Sequence, residues 1–337
     1  MQPILNDRCS ALLVELGLAS LNEKITATPL TGGVASDIAS VEVGKLAYCV
    51  KFALPKLKVQ ADWFAPVHRN AAEYEWLKVA ASVVPESSVN LFGRSNDLHG
   101  FAMEYIEGSD IYLWKSELLA EAPDRGEAAK VGDILGLIHR ASTVDGFDGQ
   151  AFNNRDHFDA LRIEPYLRFT AEKHVDTASQ LHKIADELYA AKRVLVHGDI
   201  SPKNILFRSG HPIILDAECA TMGDASFDPS FCLNHLILKA IHLPNCCERY
   251  LGNVLDFWCA YVEHVDWEST KDLEMRICRL LPMLMLGRID GKSPVEYLDE
   301  AERGVVRALA KTYISSPVGR IADFVDGIKN TLKAKHR

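Results

Sequence analysis

The spacing of apolar residues changes character about a third of the way along the chain. Residues 9–18 carry the pattern of a short amphipathic helix. Runs with strand-like composition follow at 25–30, 39–43, 47–52, 88–92 and 101–105. One helical stretch, about residues 66–83, interrupts them, with Ala72, Trp76, Leu77 and Ala80 at helical spacing. From Ile111 onward the period is almost wholly helical, broken only by strand-like runs at 193–196, 205–207 and 212–215. The pattern predicts an α+β chain of two lobes. Residues 1–106 would form a small lobe with a sheet and a helix, and residues 107–337 a larger, mainly helical one. The boundary falls where a strand ends in the glycine-bearing segment EYIEG, residues 104–108. No internal repeat or low-complexity linker separates the two.

Composition narrows the classes. With 337 residues, 48% hydrophobic and 25% charged, the chain has ordinary globular usage and can bury a large core. Its 37 basic against 46 acidic residues leave a net charge of −9, which argues against broad binding to nucleic acid or to an anionic membrane. The longest apolar run, 280–286, is interrupted by Pro282 and is far too short to span a bilayer. The first residues hold Asp7 and no basic block before an apolar one, so no secretory signal is expected. Eight cysteines lie mostly in apolar stretches and form no C-x-x-C, which reads as buried thiols of a cytoplasmic protein.

The chemistry concentrates in three places. Residues 195–206, LVHGDISPKNIL, run from an apolar strand through a polar turn into another apolar strand. Asp199 stands at the strand end, where a carboxylate can accept a hydroxyl proton. Asn204, five residues on, can return to the same pocket and offer its amide oxygen to a hard cation such as Mg²⁺. Taken alone, a turn stabilised by its own Asp and Asn explains the segment equally well. Residues 212–218, PIILDAE, then form a short apolar strand that ends in Asp216 and Glu218. Two carboxylates delivered to the same cleft suit octahedral Mg²⁺, which takes few protein oxygens besides phosphate and water. In the first lobe, the strand YCVK places Lys51 behind the turn TGGVAS, residues 31–36. Backbone amides around Gly32, Gly33 and Ser36 can approach phosphate closely, and a strand-anchored lysine can pair with its charge. Glu73, on the helix, could hold that lysine.

In this order the features resemble the aminoglycoside phosphotransferase and choline kinase superfamily, over roughly residues 25–235. The resemblance implies a bilobal protein-kinase-like fold with an antiparallel sheet in the first lobe, acting on a small-molecule hydroxyl with ATP and Mg²⁺. H-G-D in place of H-R-D, and no A-P-E segment after Asp216, separate it from protein kinases. It implies Asp199 as the base, Asn204 and Asp216 as metal ligands, and Glu218 at a second metal directly or through water. Lys51 and Glu73 would serve the phosphates, and the backbone of Met103, Glu104, Tyr105 and Ile106 would read adenine. Lys203 could reach the γ-phosphate, with a solvated loop lysine as the competing reading. His197 reads as a hydrogen-bonder that fixes the loop.

Several stretches look closest to methylthioribose kinases: VKFALP at 50–55, Asp62 and Trp63 before a helix with Arg69 and Glu73, IYLWKSELL at 111–119, and DAECA at 216–220 with Gly223 and Asp228. The chain differs in being shorter, in carrying Lys203 and Asn204 where those kinases have small residues, and in keeping only Arg288 of a late arginine pair. A pentose-type acceptor therefore leads, with Trp63, Asp228 and Arg288 as substrate candidates and Trp114 as either cleft wall or core. An aminoglycoside or an amino alcohol such as choline or ethanolamine is the alternative, and would call on Asp224, Asp228, Asp256 or Glu263. A nucleotide-binding module that lost the reaction is the competing class, although Lys51, Asp199 and Asp216 are all present.

Two further signals are set aside. Gly291, Lys292 and Ser293 lack the leading glycine of a phosphate loop, since residue 286 is leucine. Ser293, Pro294 and Glu296 instead predict a helix start with a capping box. Cys232, His235, His242, Cys246 and Cys247 match no ordinary zinc spacing, and residues 231–241 have the apolar density of a buried helix.

Overall fold

The computed structural model describes residues 2–30, 36–56, 58, 66–67 and 69–335. Helix α1 (Gln2–Glu15) precedes strands β1 (Ile25–Pro29), β2 (Ser36–Val43) and β3 (Leu46–Ala53), then helix α2 (Arg69–Val83) and strands β4 (Leu91–Ser95) and β5 (Gly100–Glu104). The five strands form one antiparallel sheet in the order β1-β2-β3-β5-β4. Strand alternation sorts β3 onto two faces. Tyr48, Val50 and Phe52 join Cys9, Leu12 and Leu13 of α1 in a small core. Cys49 turns the other way, into the main core with Trp76 and Leu77 of α2. Lys51 shares that second face, which is why it meets α2.

After β6 (Ile111–Leu113) the chain becomes helical: α3 (Trp114–Leu119), α4 (Glu127–Ala141), α5 (Arg155–Phe158), a π-helical stretch (Asp159–Arg168), α6 (Phe169–Lys173) and α7 (Ala178–Ala190). Strands β7 (Val194–Val196), β8 (Ile205–Arg208), β9 (His211–Ile214) and β10 (Thr221–Gly223) follow, then α8 (Phe227–His242), α9 (Cys247–Val262), α10 (Thr270–Asp290), α11 (Glu300–Ser315) and α12 (Ile321–Lys335). Two small antiparallel sheets, β10-β7 and β6-β8-β9, bracket the polar loop at 197–204. α8 is the central helix: from Phe227 to Ile241 every residue is buried. Gly287 lets α10 pack against the π-helical stretch, since a Cβ there would stand 2.4 Å from the Tyr166 carbonyl oxygen. No helix among the described residues is long and apolar enough to cross a membrane.

Three local expectations are corrected. The strand expected at 88–92 starts at Leu91, because Pro85 opens a short 3₁₀ turn instead. The first helix ends at Glu15, and Gly17 takes a positive φ of 71° just beyond it. No helix starts at Ser293. The capping box belongs to Asp299 and Glu302 at the head of α11, while Glu296 pairs with Lys115 and the Ser293 carbonyl accepts from Arg288.

Candidate active site

Lys51 is 2% exposed, and its ammonium lies 2.9 Å from Glu73 Oε1 on α2 and in contact with Asp216 Oδ1. Asp216 sits just past β9, so the lysine joins the five-stranded sheet, α2 and the second half of the chain. Glu73 Oε1 also accepts the Asp216 backbone N–H at 3.2 Å. Asp216 holds a positive φ of 72°, uncommon for a side chain with a Cβ and a mark of a constrained position. Burial alone would push its carboxyl up, but Lys51 and Lys203 outweigh that and hold it below the ordinary value. Burial drives the Glu73 carboxyl up to about 7, with Lys51 pulling against it and Asp216 adding to it.

The loop after β7 is built around His197 and Gly198. His197 Nδ1 accepts the Asp199 backbone N–H at 3.0 Å, so Nε2 carries the proton and donates to the Leu215 carbonyl at 3.2 Å. Burial lowers the pKa of this ring, which keeps it neutral and in that structural role. Gly198 has a φ of 84°, and a Cβ there would meet the Cys219 Cβ at 2.8 Å. Both facts require glycine in the H-G-D triplet. The Asp199 side chain is 6% exposed; its Oδ2 lies 3.0 Å from both Lys203 Nζ and Arg162 Nη2. Burial favours its protonation, but Lys203 and Arg162 overcome that and lower its pKa. The Asn204 amide nitrogen donates to the Asp199 carbonyl at 3.0 Å, which commits the nitrogen and leaves the oxygen as the acceptor side.

These contacts bring Lys51, Glu73, Asp199, Lys203, Asn204 and Asp216 into one cleft. The remaining candidates stand outside this set of contacts. Asp228, expected at the substrate, is fully buried and accepts the backbone N–H groups of His197 at 2.7 Å and Gly198 at 2.8 Å, so it braces the loop instead. Glu218, expected at metal, is taken by Arg69 of α2, and 6% of its side chain is exposed against 30% for Asp216. Glu104 is likewise occupied as a side chain, with Arg208 at 2.6 Å and the Asn90 backbone N–H at 3.1 Å. Met103 pairs in the sheet with Cys49 and Leu91. Beyond the end of β5, no described partner takes the backbone groups of Tyr105 and Ile106. Ser36 opens β2, buried and in register with Ala53. Trp114 is core, edge-on to Phe207 at 6.3 Å. Arg288 is 7% exposed and donates to Tyr166 Oη at 3.1 Å. Gly32, Gly33 and Trp63 lie outside the described residues.

Asn204 and Asp216 fit a magnesium ion of the kind that takes most of its ligands from phosphate and water. Among the described residues no three His, Cys, Asp or Glu side chains gather as a metal set. The groups missed by the sequence are Arg162, which also donates to the Gly198 carbonyl, and the role of Arg69 as partner of Glu218. Pro165 inside a helical run was the available hint of the π-helical stretch that aims Arg162.

A family model described as a phosphotransferase enzyme family matches residues 26–269. A methylthioribose kinase from Bacillus cereus (strain AH820) is 22% identical over 230 residues, covering 60% of this chain and 58% of that protein. The chain thus matches less than two thirds of the length of this curated relative. Among solved structures, a choline/ethanolamine kinase family protein from Mesorhizobium loti aligns over 99% of this chain and 94% of its own, with a TM-score of 0.52 at 15% identity. Amicoumacin kinase in complex with AMP-PNP, Ca²⁺ and Ami aligns over 94% and 97%, with a TM-score of 0.56 at 13% identity. At these identities the likeness is one of fold: the bilobal α+β architecture expected from the sequence.

Proposed function

The chain belongs to the phosphotransferase enzyme family, and from that premise we propose that it is a kinase transferring the γ-phosphoryl group of Mg-ATP to a hydroxyl of a small molecule, a pentose-type acceptor related to methylthioribose. The observation that carries this reading is the meeting of Lys51, Glu73 and Asp216 beside Asp199, from segments up to 165 residues apart. We take the sheet and α2, residues 1–106, as the nucleotide lobe and residues 107–337 as the catalytic and acceptor lobe.

Asp199 orients the acceptor hydroxyl and takes its proton. Its lowered pKa keeps it ionised, and transfer of this kind needs a positioned carboxylate more than a strong base. Lys51, steadied by Glu73, neutralises phosphate charge once it leaves Asp216. Asn204 and Asp216 would hold Mg²⁺, which would supply charge stabilisation to the transferring phosphoryl group. Lys203, 3.0 Å from the base, stands where it can meet the transferring group. The open backbone at Tyr105 and Ile106 supports adenine recognition at the joint between the lobes.

The test is ADP release from Mg-ATP with methylthioribose, deoxyribose, ribose, choline, ethanolamine and kanamycin, with Asp199→Asn as control. Turnover with the sugars, lost in the variant, supports the reading. Turnover confined to the cationic acceptors keeps the kinase and removes the pentose. ATP binding without turnover on any acceptor points to a module that no longer does chemistry.

A further inference from the structure

Behind Lys203, between α3, α8 and α10, lies a cavity of about 40 Å³ lined by four cationic side chains, Lys115, Lys203, Lys239 and Arg288, by His235 and Tyr297, and by one carboxylate, Glu296. It is large enough for water or the head of a small polar group, and too small for a whole sugar. His235 and Lys239 are four residues apart and so share one face of α8.

The charge in this cavity is unbalanced. Lys115 is paired with Glu296, and Lys203 with Asp199. Lys239 and Arg288 have no carboxylate partner among the described residues. Lys239 is 1% exposed, and its described neighbour is the Tyr297 ring, whose centroid lies 5.0 Å away. Three polar atoms here are buried with no hydrogen-bond partner: His235 Nε2, Arg288 Nε and Tyr297 Oη. A folded core rarely keeps such groups, because each loses its water and gains nothing. Burial, with Lys115 and Arg288 adding to it, pushes the Lys239 ammonium down to about 7. Repelling cations and unused polar atoms around a void have the form of a site whose missing piece is an anion.

We propose that this cavity is a subsite for an anionic group of the acceptor, a carboxylate or a phosphate monoester carried on the same small molecule as the reacting hydroxyl. The inference rests on the kinase reading above and names its substrate class. Lys203 lines the cavity and also touches the proposed base, so one ammonium separates the bound anion from the hydroxyl. The acceptor is therefore a compact hydroxy acid or sugar phosphate. The same field disfavours choline, ethanolamine and aminoglycosides. Of the carboxylates a cationic acceptor would call on, Asp224 and Asp228 are committed to Arg276 and to the loop backbone, while Asp256 and Glu263 are exposed.

Calorimetric titration of ribose, ribonate and ribose 5-phosphate tests this, on the full chain and on Lys239→Met and Lys239→Gln. At least one of the two anions should bind ten times or more tighter than ribose. Which one does distinguishes carboxylate from phosphate, and the preference should vanish in both variants. AMP-PNP affinity should stay unchanged in them. Because Lys239→Met removes an unpaired buried charge, its Tm should hold or rise, whereas loss of a purely structural lysine would lower it. Equal binding of all three compounds overturns the proposal, as does an anion preference that survives both variants. A fall in AMP-PNP affinity alone also overturns it, by giving the cavity to the nucleotide's own phosphate. ADP release on the same panel, with choline added, separates the two claims. Anion-selective binding without ADP release with any of them would support the subsite and count against the kinase. Release with ribose or choline and no anion preference would do the reverse.

Discussion

Asp228 accepts the backbone N–H of His197 at 2.7 Å with one carboxylate oxygen, and with the other it holds the next amide, that of Gly198. His139 Nε2 stands 3.2 Å from the first oxygen. A buried carboxylate at the head of α8 thus fixes the loop that carries Asp199. Asp228→Ala would leave two backbone donors unpaired in the core, at a cost of about 1–3 kcal/mol each. The expected result is a marked drop in Tm together with activity. A change confined to the acceptor KM, with Tm intact, would return Asp228 to the substrate.

The parts of the site that were legible in the sequence are those in which chemistry and strand pattern coincide. Lys51 lies on a strand whose alternation turns it toward α2, and Glu73 sits on the helix that meets it. Asp199 and Asp216 follow short apolar runs that the core must bury. The pattern could not show which carboxylates are already engaged. Asp228 and Glu218 resemble free acids until the fold brings backbone amides to one and Arg69 to the other. Arg162 was hidden for a related reason, since only a π-helical stretch points it at Asp199. No helix starts at Ser293 because Glu296 is drawn to Lys115 and the Ser293 carbonyl to Arg288, while Asp299 and Glu302 close the box six residues later.

Asp199→Asn keeps the size of the side chain and removes the proton acceptor. Its kcat should fall about 10²- to 10⁴-fold, the range of general-base contributions, with nucleotide affinity close to wild type. Near-normal turnover would dismiss Asp199 as the base.

Asp216→Ala removes one of the two oxygen ligands proposed for magnesium and leaves Lys51 paired with Glu73 alone. Nucleotide binding measured with and without Mg²⁺ should lose its metal dependence. Unchanged dependence would assign the ion elsewhere.

Gly198→Ala combines a φ of 84° with a Cβ contact of 2.8 Å to Cys219. Left-handed backbone costs a residue with a Cβ about 1–2 kcal/mol before any clash. The variant should lose several degrees of Tm and most of its activity. The double change Gly198→Ala, Cys219→Gly should recover part of the stability by removing the clash but not the backbone strain.

The pH dependence of turnover and of ATP affinity should separate, because two carboxylates in one cleft are shifted in opposite directions. Lys203 and Arg162 outweigh burial at Asp199 and lower its pKa, so the base stays ionised down to about pH 4, the ordinary Asp value, and below. The kcat profile should be flat between pH 8 and pH 5, and a limb near 6 would indicate a different base. The same shift stabilises the fold above the unfolded Asp value, a contribution lost only as pH falls through the lower folded one. Burial raises Glu73 to about 7 despite Lys51, so its protonation begins near neutrality and weakens the hold on that lysine. The KM for ATP should therefore rise as pH drops below about 7. Glu73→Gln, neutral throughout, should show a raised KM already at pH 8 and no further dependence down to pH 5. A pH-dependent KM that persists in that variant would trace the limb to another group.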